Sequence, residues 1–511
     1  MTMLRRWFTF AAAVLAVTAT AVVVAVIQAD GAGDHSVVSN APSSTLPHTP
    51  ATNASAPTTV APAPTTTTYG GWVNPKHSGK PFGDTVDGLL TFRGNAARSF
   101  YGAGPVPAQP EIQWRYPTAG SMCSISSVGS ESKEWCGTGW TGQPSIWERD
   151  GTTWAAFGAY DRAVHFLDAE TGQDLLEPFP TGDIIKGSVS VDPDGYPLLY
   201  VGSRDNFLRV IAFDGDAARE LWSLGADVVS PTLWNDDWDG SPLIVDDYMF
   251  EGGENSQIHI VKLNRDYDDN GTVVVDPELI FNAPGWDEEL TDLVGNDVSI
   301  ENSVAISGNT LYFANSGGLV QGWDIAGLAE GETPERVFRY WAGDDIDASI
   351  TIDEQGMLYV GVEYERGNKR SQEVGQVLKL DPSRPNDPLV WGAAARGGLD
   401  TGVWATPALH RDLVIVATMD QGVIAFDRKT GDQRWTLDLG WHLWQSPVIV
   451  DDVLVMGDCD GVLHGYDVAD TNVAPTELWS LDLGGCIEST PAVWDNRIIV
   501  GTRSGAVYGI G

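Results

Sequence analysis

Oxygen-bearing side chains alternate in two short stretches of this chain. Asn235, Asp237 and Asp239 precede Gly240, and Asp266, Asp268 and Asn270 precede Gly271. Alternation lets three side chains converge on one centre while glycine makes the sharp turn, which is the pattern of a calcium loop. Neither stretch has a glutamate at the twelfth position; Asp276 is the distal ligand open to the second. Asp, Asn and Gly also build ordinary turns between strands. Calcium is the ion this spacing would hold.

A second set is dispersed. Lys186, Glu301, Asp347, Trp404, Trp444 and Glu488 each stand two residues before a Ser/Thr-Pro-like step that opens an apolar run, and Thr141 and Val228 take the matching places. If those runs are the inner strands of one ring, three carboxylates, a lysine and two indoles meet at one mouth. A carboxylate is costly to bury without a partner. The cluster therefore calls for a cation, a ligand or water, and a plain hydrated channel mouth is the alternative.

The elements that would position these residues repeat. The second half of the chain recurs at about 40–46 residues, a propeller-blade period. Its last three copies start at Ala405, Gln445 and Ser489, and each reads as inner strand, turn, strand, tight glycine turn, strand. A short fourth strand carries one aromatic, traced backward through Trp479, Trp435, Trp391, Phe338, Phe281, Trp222 and Phe179. The last copy stops at Gly511 before any fourth strand, and Trp114 heads the missing piece. An N-terminal strand that completes the last blade closes the ring and removes both sheet edges. The count is eight blades, all-β, with seven as the alternative because the third and fifth repeats carry insertions. In this alignment both calcium-like loops fall on the face opposite the mouth.

Phe426-Asp-Arg-Lys-Thr-Gly-Asp-Gln-Arg-Trp435 and the looser Leu167-Asp-Ala-Glu-Thr-Gly172 resemble the tryptophan-docking motif of the pyrroloquinoline-quinone (PQQ)-like propellers, over about residues 90–511. The resemblance implies four-stranded blades around a central channel. For function it implies two things, since that family holds quinoprotein dehydrogenases and non-enzymatic assembly factors. Dehydrogenases of the family place an adjacent cysteine pair over the quinone. This chain has none, nor a Cys-x-x-Cys-His haem motif. Serine-hydrolase, zincin and phosphate-loop motifs are absent, and the 8 histidines do not cluster. The reading leans away from an enzyme and from PQQ as cofactor, toward a scaffold or binding module for an envelope protein or a small ligand. The alternative is a PQQ- and calcium-dependent dehydrogenase, with the mouth carboxylates as base and metal ligands and Lys186 as quinone partner.

Residues 1–30 set the expected compartment. Arg5 and Arg6 precede an uncharged run over 8–27, long enough to span a bilayer with the arginines in the cytoplasm. A retained signal anchor is expected; a signal cleaved near Ala29 and a weak twin-arginine signal are the alternatives. Residues 31–69, rich in Ser, Thr, Pro and Ala, cannot bury a core and read as a linker. The propeller is 70–511. An exported protein favours disulfides, and the pairs expected are Cys123 with Cys136, flanking one loop, and Cys459 with Cys486, on neighbouring blades. The net charge of −40 argues against nucleic acid, which needs a basic footprint. A monomer is expected.

Overall fold

The computed structural model describes residues 69–511 apart from 129, 130, 141, 421 and 441. The anchor and nearly all of the linker lie outside these residues, as does Thr141. Among the described residues no helix is long and apolar enough to cross a membrane.

Eight antiparallel sheets follow one another along the chain, each with four core strands. Blades 1–7 cover residues 145–180, 190–225, 243–284, 305–341, 351–393, 408–437 and 448–482. Blade 8 takes Ala492–Trp494, Arg497–Thr502 and Ala506–Ile510 from the C-terminus, and its outer strand is Ile112–Tyr116. Trp114 lies opposite Gly509, and Tyr116 opposite Val507. The ring is closed as the truncated last repeat required, and the count is eight.

The inner strands are short because they are crowded around the channel; the second and third are buried Val/Ile/Leu runs such as Leu413–Ala417 and Val423–Asp427. Burial on both faces explains why these strands read as continuous apolar runs rather than alternating ones. The traced aromatics all lie on fourth strands, next to a register shift that recurs from blade to blade. Their docking is visible twice. Trp114 lies over Gly172 of blade 1 and its Nε1 donates to the Ala169 carbonyl at 3.0 Å; Trp391 lies over Gly431 of blade 6 and donates to the Arg428 carbonyl at 3.3 Å. Gly172 has φ +67°, and a Cβ there would come within 2.5 Å of the Trp114 ring, so glycine is required twice over.

Insertions decorate blades 3 and 5. Blade 3 carries the hairpin Asp266–Tyr267 with Val273–Val274. Blade 5 carries the helix Lys369–Val374 and the strand Glu363–Tyr364, which pairs with Thr401–Gly402 on the way into blade 6. Before blade 1 stands the hairpin Cys123–Val128 with Glu131–Cys136, whose cysteines face each other and form a disulfide.

One feature had no counterpart in the repeat reading. Residues 88–103 run through the channel and bond to inner strands all round the ring. Gly88–Leu89 pairs with Ser145–Arg149, and Gly102–Ala103 runs parallel to Ala492–Trp494. Between them the carbonyls of Leu90, Ala96 and Ala97 accept from Val191, Ile306 and Ile352. Arg93 and Arg98 are fully buried. Arg98 donates to the carbonyls of Val304, Phe92 and Ser241, and Arg93 to those of Pro407 and Pro447. This plug answers inner-strand carbonyls that would otherwise face an empty channel.

Candidate functional site

The mouth is built by one recurring step. From blade 3 to blade 7 the Ser or Thr hydroxyl at the start of an inner strand accepts from the backbone N–H of the preceding blade's equivalent residue: Ser303 from Ser241, Ser349 from Ser303, Thr406 from Ser349, Ser446 from Thr406, each at 2.9–3.0 Å. That belt holds the steps at one level, so the residues two positions earlier form a ring on its open side. They are Lys186, Asp239, Glu301, Asp347, Trp404, Trp444 and Glu488.

Blade 3 corrects the sequence alignment. Its step is Ser241-Pro242, which leads into Leu243–Val245, and not Ser230-Pro231. Val228 lies in a turn of 3-10 helix and is 57 % exposed. Two Ser-Pro pairs stand eleven residues apart, and only strand pairing chooses between them. The same shift moves Asn235, Asp237 and Asp239 from the opposite face to the mouth. There Asp237 and Asp239 meet Glu254, one carboxylate oxygen of each lying within 4.8 Å of the others. Lys186 pairs with Asp239 and, at 3.2 Å, with Glu254; Arg204 pairs with Asp237 at 2.6 Å; Asn235 donates to Glu254 at 3.0 Å. Burial pushes the Asp237 carboxyl up to about 6, helped by Glu254. Burial opposes charge on Lys186, but Asp239 and Glu254 outweigh it and hold the ammonium on. This triad is answered by the protein's own cations.

The second loop does otherwise. Asp266, Asp268 and Asn270 lie on the exposed hairpin of blade 3, where the Asp268 carboxylate accepts the backbone N–H groups of Asn270 and Thr272. It organises its own turn, which holds that carboxyl below its usual range.

A second carboxylate group, which the sequence reading only touched, fills the arc from blade 4 to blade 6. Asp345, Glu363 and Glu365 present oxygens within 4.8 Å of one another. Asp347 lies against Glu363, and Glu301 faces Asp347. Glu363 is 1 % and Asp345 8 % exposed, and one buried oxygen on each of Asp345, Asp347 and Glu363 has no hydrogen-bond donor. Arg366 is the nearby cation, 3.6 Å from Asp345 and 2.7 Å from Asp297. Burial first, then mutual repulsion, drives the Asp347 and Glu363 carboxyls far above the usual range. Asp345, Glu363 and Glu365 belong to no motif in the sequence; the alternation of Asp345 with Asp347 is the available signal.

Next round the ring, Trp404 and Trp444 stack, with centroids 5.8 Å apart and planes inclined 8°. Both indole N–H groups are buried without an acceptor. Glu488 closes the ring beside Arg503 at 3.6 Å. The Cys459–Cys486 disulfide ties a blade 7 turn to the chain just before Glu488. Trp135 of the first hairpin collects Lys133, Arg204 and Arg503 around its ring at 4.4–5.4 Å. The mouth is thus divided into a basic arc, an acidic arc and an indole wall.

Residues 373–511 match the family model described as "Outer membrane protein assembly factor BamB". Over 129 residues the chain is 30 % identical to the outer membrane protein assembly factor BamB of Burkholderia pseudomallei, a match that covers 25 % of this chain and 28 % of that one. Among solved structures it is similar to a europium-containing methanol dehydrogenase (TM-score 0.54, 12 % identity, 83 % of this chain and 98 % of that one). It is also similar to the quinohemoprotein alcohol dehydrogenase of Comamonas testosteroni (TM-score 0.53, 14 % identity, 83 % and 80 %). At such identities the structural likeness concerns the fold.

Proposed function

We propose that this chain, a propeller of the PQQ-like repeat family, is an extracytoplasmic binding module, tethered through residues 1–30, whose working surface is the channel mouth. One observation carries the reading: the plug fills the channel behind the mouth, and the mouth gathers buried carboxylate oxygens without a donor beside stacked indoles. Such a mixture of an apolar wall and a few converging polar groups is the usual make-up of a small-ligand site. Two disulfides agree with an oxidising compartment. The likeness to an assembly factor supports a scaffold that also docks an envelope protein.

The test is to substitute Glu301→Gln, Asp347→Asn and Trp444→Ala separately, then measure small-ligand binding by calorimetry and recovery of envelope partners after cross-linking. Loss of a ligand or partner in folded variants supports the mouth. Parent-like behaviour in all three moves function to the insertions of blades 3 and 5.

A second reading, the PQQ- and calcium-dependent dehydrogenase, is favoured by the crowded mouth carboxylates. The cysteines do not fit it, because all four are used in bridges between residues distant in sequence. Dye-linked alcohol oxidation after loading with PQQ and Ca²⁺ decides between them.

A further inference from the structure

We propose that the acidic arc and the indole wall together form a site for a primary alkyl- or arylalkyl-ammonium ion, its nitrogen among Asp345, Asp347, Glu363 and Glu365 and its carbon body against Trp404 and Trp444. This rests on the mouth being the binding surface, and names what it binds.

The two carboxylate groups of the mouth differ in one respect. The group of Asp237, Asp239 and Glu254 already holds an ammonium, that of Lys186, together with the Arg204 guanidinium. The group of Asp345, Glu363 and Glu365 has the same spread of oxygens, within 4.8 Å, but no lysine. An ammonium nitrogen at about 2.8 Å from three oxygens spaces those oxygens by roughly 4.6 Å, so a group gathered within 4.8 Å can accept one, and here a guanidinium stands at the edge of the group in place of a lysine. Arg366 does not replace it, since its closest contact is to Asp297 at 2.7 Å while Asp345 is 3.6 Å away.

The orphaned oxygens supply the second observation. Glu363, 1 % exposed, and Asp345, 8 % exposed, each keep a buried oxygen with no donor, as does Asp347. The charge of Asp347 opposes ionisation of the buried Glu363, since two bare carboxylates side by side repel. A proton or a cation has to stand there.

The indoles indicate that the cation is organic. The strand Glu363–Tyr364 pairs with Thr401–Gly402, and the Val403 N–H donates to the Val362 carbonyl at 3.0 Å. That pairing sets Gly402 opposite Glu363, two residues before Trp404, and the Ser349 N–H to Thr406 hydroxyl bond at 3.0 Å makes Asp347 and Trp404, each two residues earlier, neighbours in the ring. A stacked pair of tryptophans next to carboxylates is a cation–π surface for an ammonium and an apolar wall for what it carries. An inorganic ion would leave that wall unused. On binding, the ammonium replaces the protons held by the carboxyls. The charged groups facing them are Glu301, Asp344, Asp297, Asp400 and Arg366.

The experiment is calorimetric titration of the full chain with benzylamine, benzyl alcohol, an N-acetylated lysine amide and Ca²⁺, in two buffers of different ionisation enthalpy. Expected results are binding of benzylammonium with proton release, benzyl alcohol at least about tenfold weaker, and loss of the amine signal in Glu363→Gln and Asp347→Asn. Trp404→Ala should weaken the amine about tenfold, and Asp268→Asn, on the exposed hairpin, should leave it unchanged. Thermal melts confirm that each variant is folded. Binding of the lysine amide as tightly as benzylamine would identify a partner's lysine as the source of the same group. Equal binding of amine and alcohol, no amine binding, or amine binding intact in both carboxylate variants overturns the proposal. So does Ca²⁺ alone binding with proton release. If the alcohol binds and Trp444→Ala abolishes it, the mouth remains a binding surface and only its ammonium preference fails.

Discussion

Charge at the mouth makes stability depend on pH in a direction that can be worked out residue by residue. Burial raises the carboxyls of Asp237, Asp345, Asp347 and Glu363 above their unfolded values. A raised carboxyl binds more protons folded than unfolded, so its contribution is complete below about pH 4 and is lost as pH rises through the folded value, about 6 for Asp237. Asp287 works the other way: Arg339 holds it near 2, so its contribution is present above about pH 4 and lost as pH falls through 2. The ligand-free protein should therefore melt higher at pH 5 than at pH 8. Glu363→Gln should raise the melting temperature at pH 8 by roughly 1–4 °C and flatten that slope; calorimetry across pH checks both. Arg98 is the opposite kind of buried group. Burial lowers its guanidinium to about 9, yet it stays charged and answers three carbonyls and the Thr91 hydroxyl. Arg98→Ala should cost about 3–5 kcal/mol, read by denaturant titration, because those acceptors would be left buried and unpaired.

At the scale of the element, the blade-to-blade contacts decide rigidity. Gly172→Ala combines a positive φ with a collision against Trp114, so a loss of about 2–3 kcal/mol is expected. Gly271→Ala, at φ +77° but with open space around it, should lose about 1 kcal/mol. Thermal melts of the two separate docking from backbone strain. The Cys459–Cys486 bridge spans 27 residues and fixes the rim beside Glu488. Replacing both cysteines by serine should cost about 2–4 kcal/mol by chemical denaturation. If the mouth is the site, the same change should weaken ligand binding, since its rim would loosen.

For the whole molecule, the N-terminal segment does two jobs. Residues 88–103 plug the channel, and Ile112–Tyr116 completes blade 8. Deleting 70–118 opens the ring and strips the inner strands of their partners at once. The expected outcome is a fall in melting temperature of more than about 15 °C or a loss of cooperative unfolding. An unchanged melt would contradict closure.

The closing strand, the fourth-strand aromatics and both cysteine pairs were legible in the sequence, because each rests on a local period or on a residue type with one use, while eight blades rather than seven was fixed by the structure. The sequence also picked out Lys186, Glu301, Asp347, Trp404, Trp444 and Glu488, since a fixed offset from a repeated step survives translation into a ring. Register stays open where a signal occurs twice, as with Ser230-Pro231 and Ser241-Pro242, and strand pairing alone puts Asp239 at the mouth. The plug was invisible for a different reason. Residues 88–103 have no period of their own, and Arg93 and Arg98 look like surface residues until eight inner strands surround them with carbonyls. The acidic arc also belongs to the tertiary structure. Asp345 and Glu363 are ordinary turn residues in sequence, and only ring closure and the pairing of Glu363–Tyr364 with Thr401–Gly402 bury them side by side.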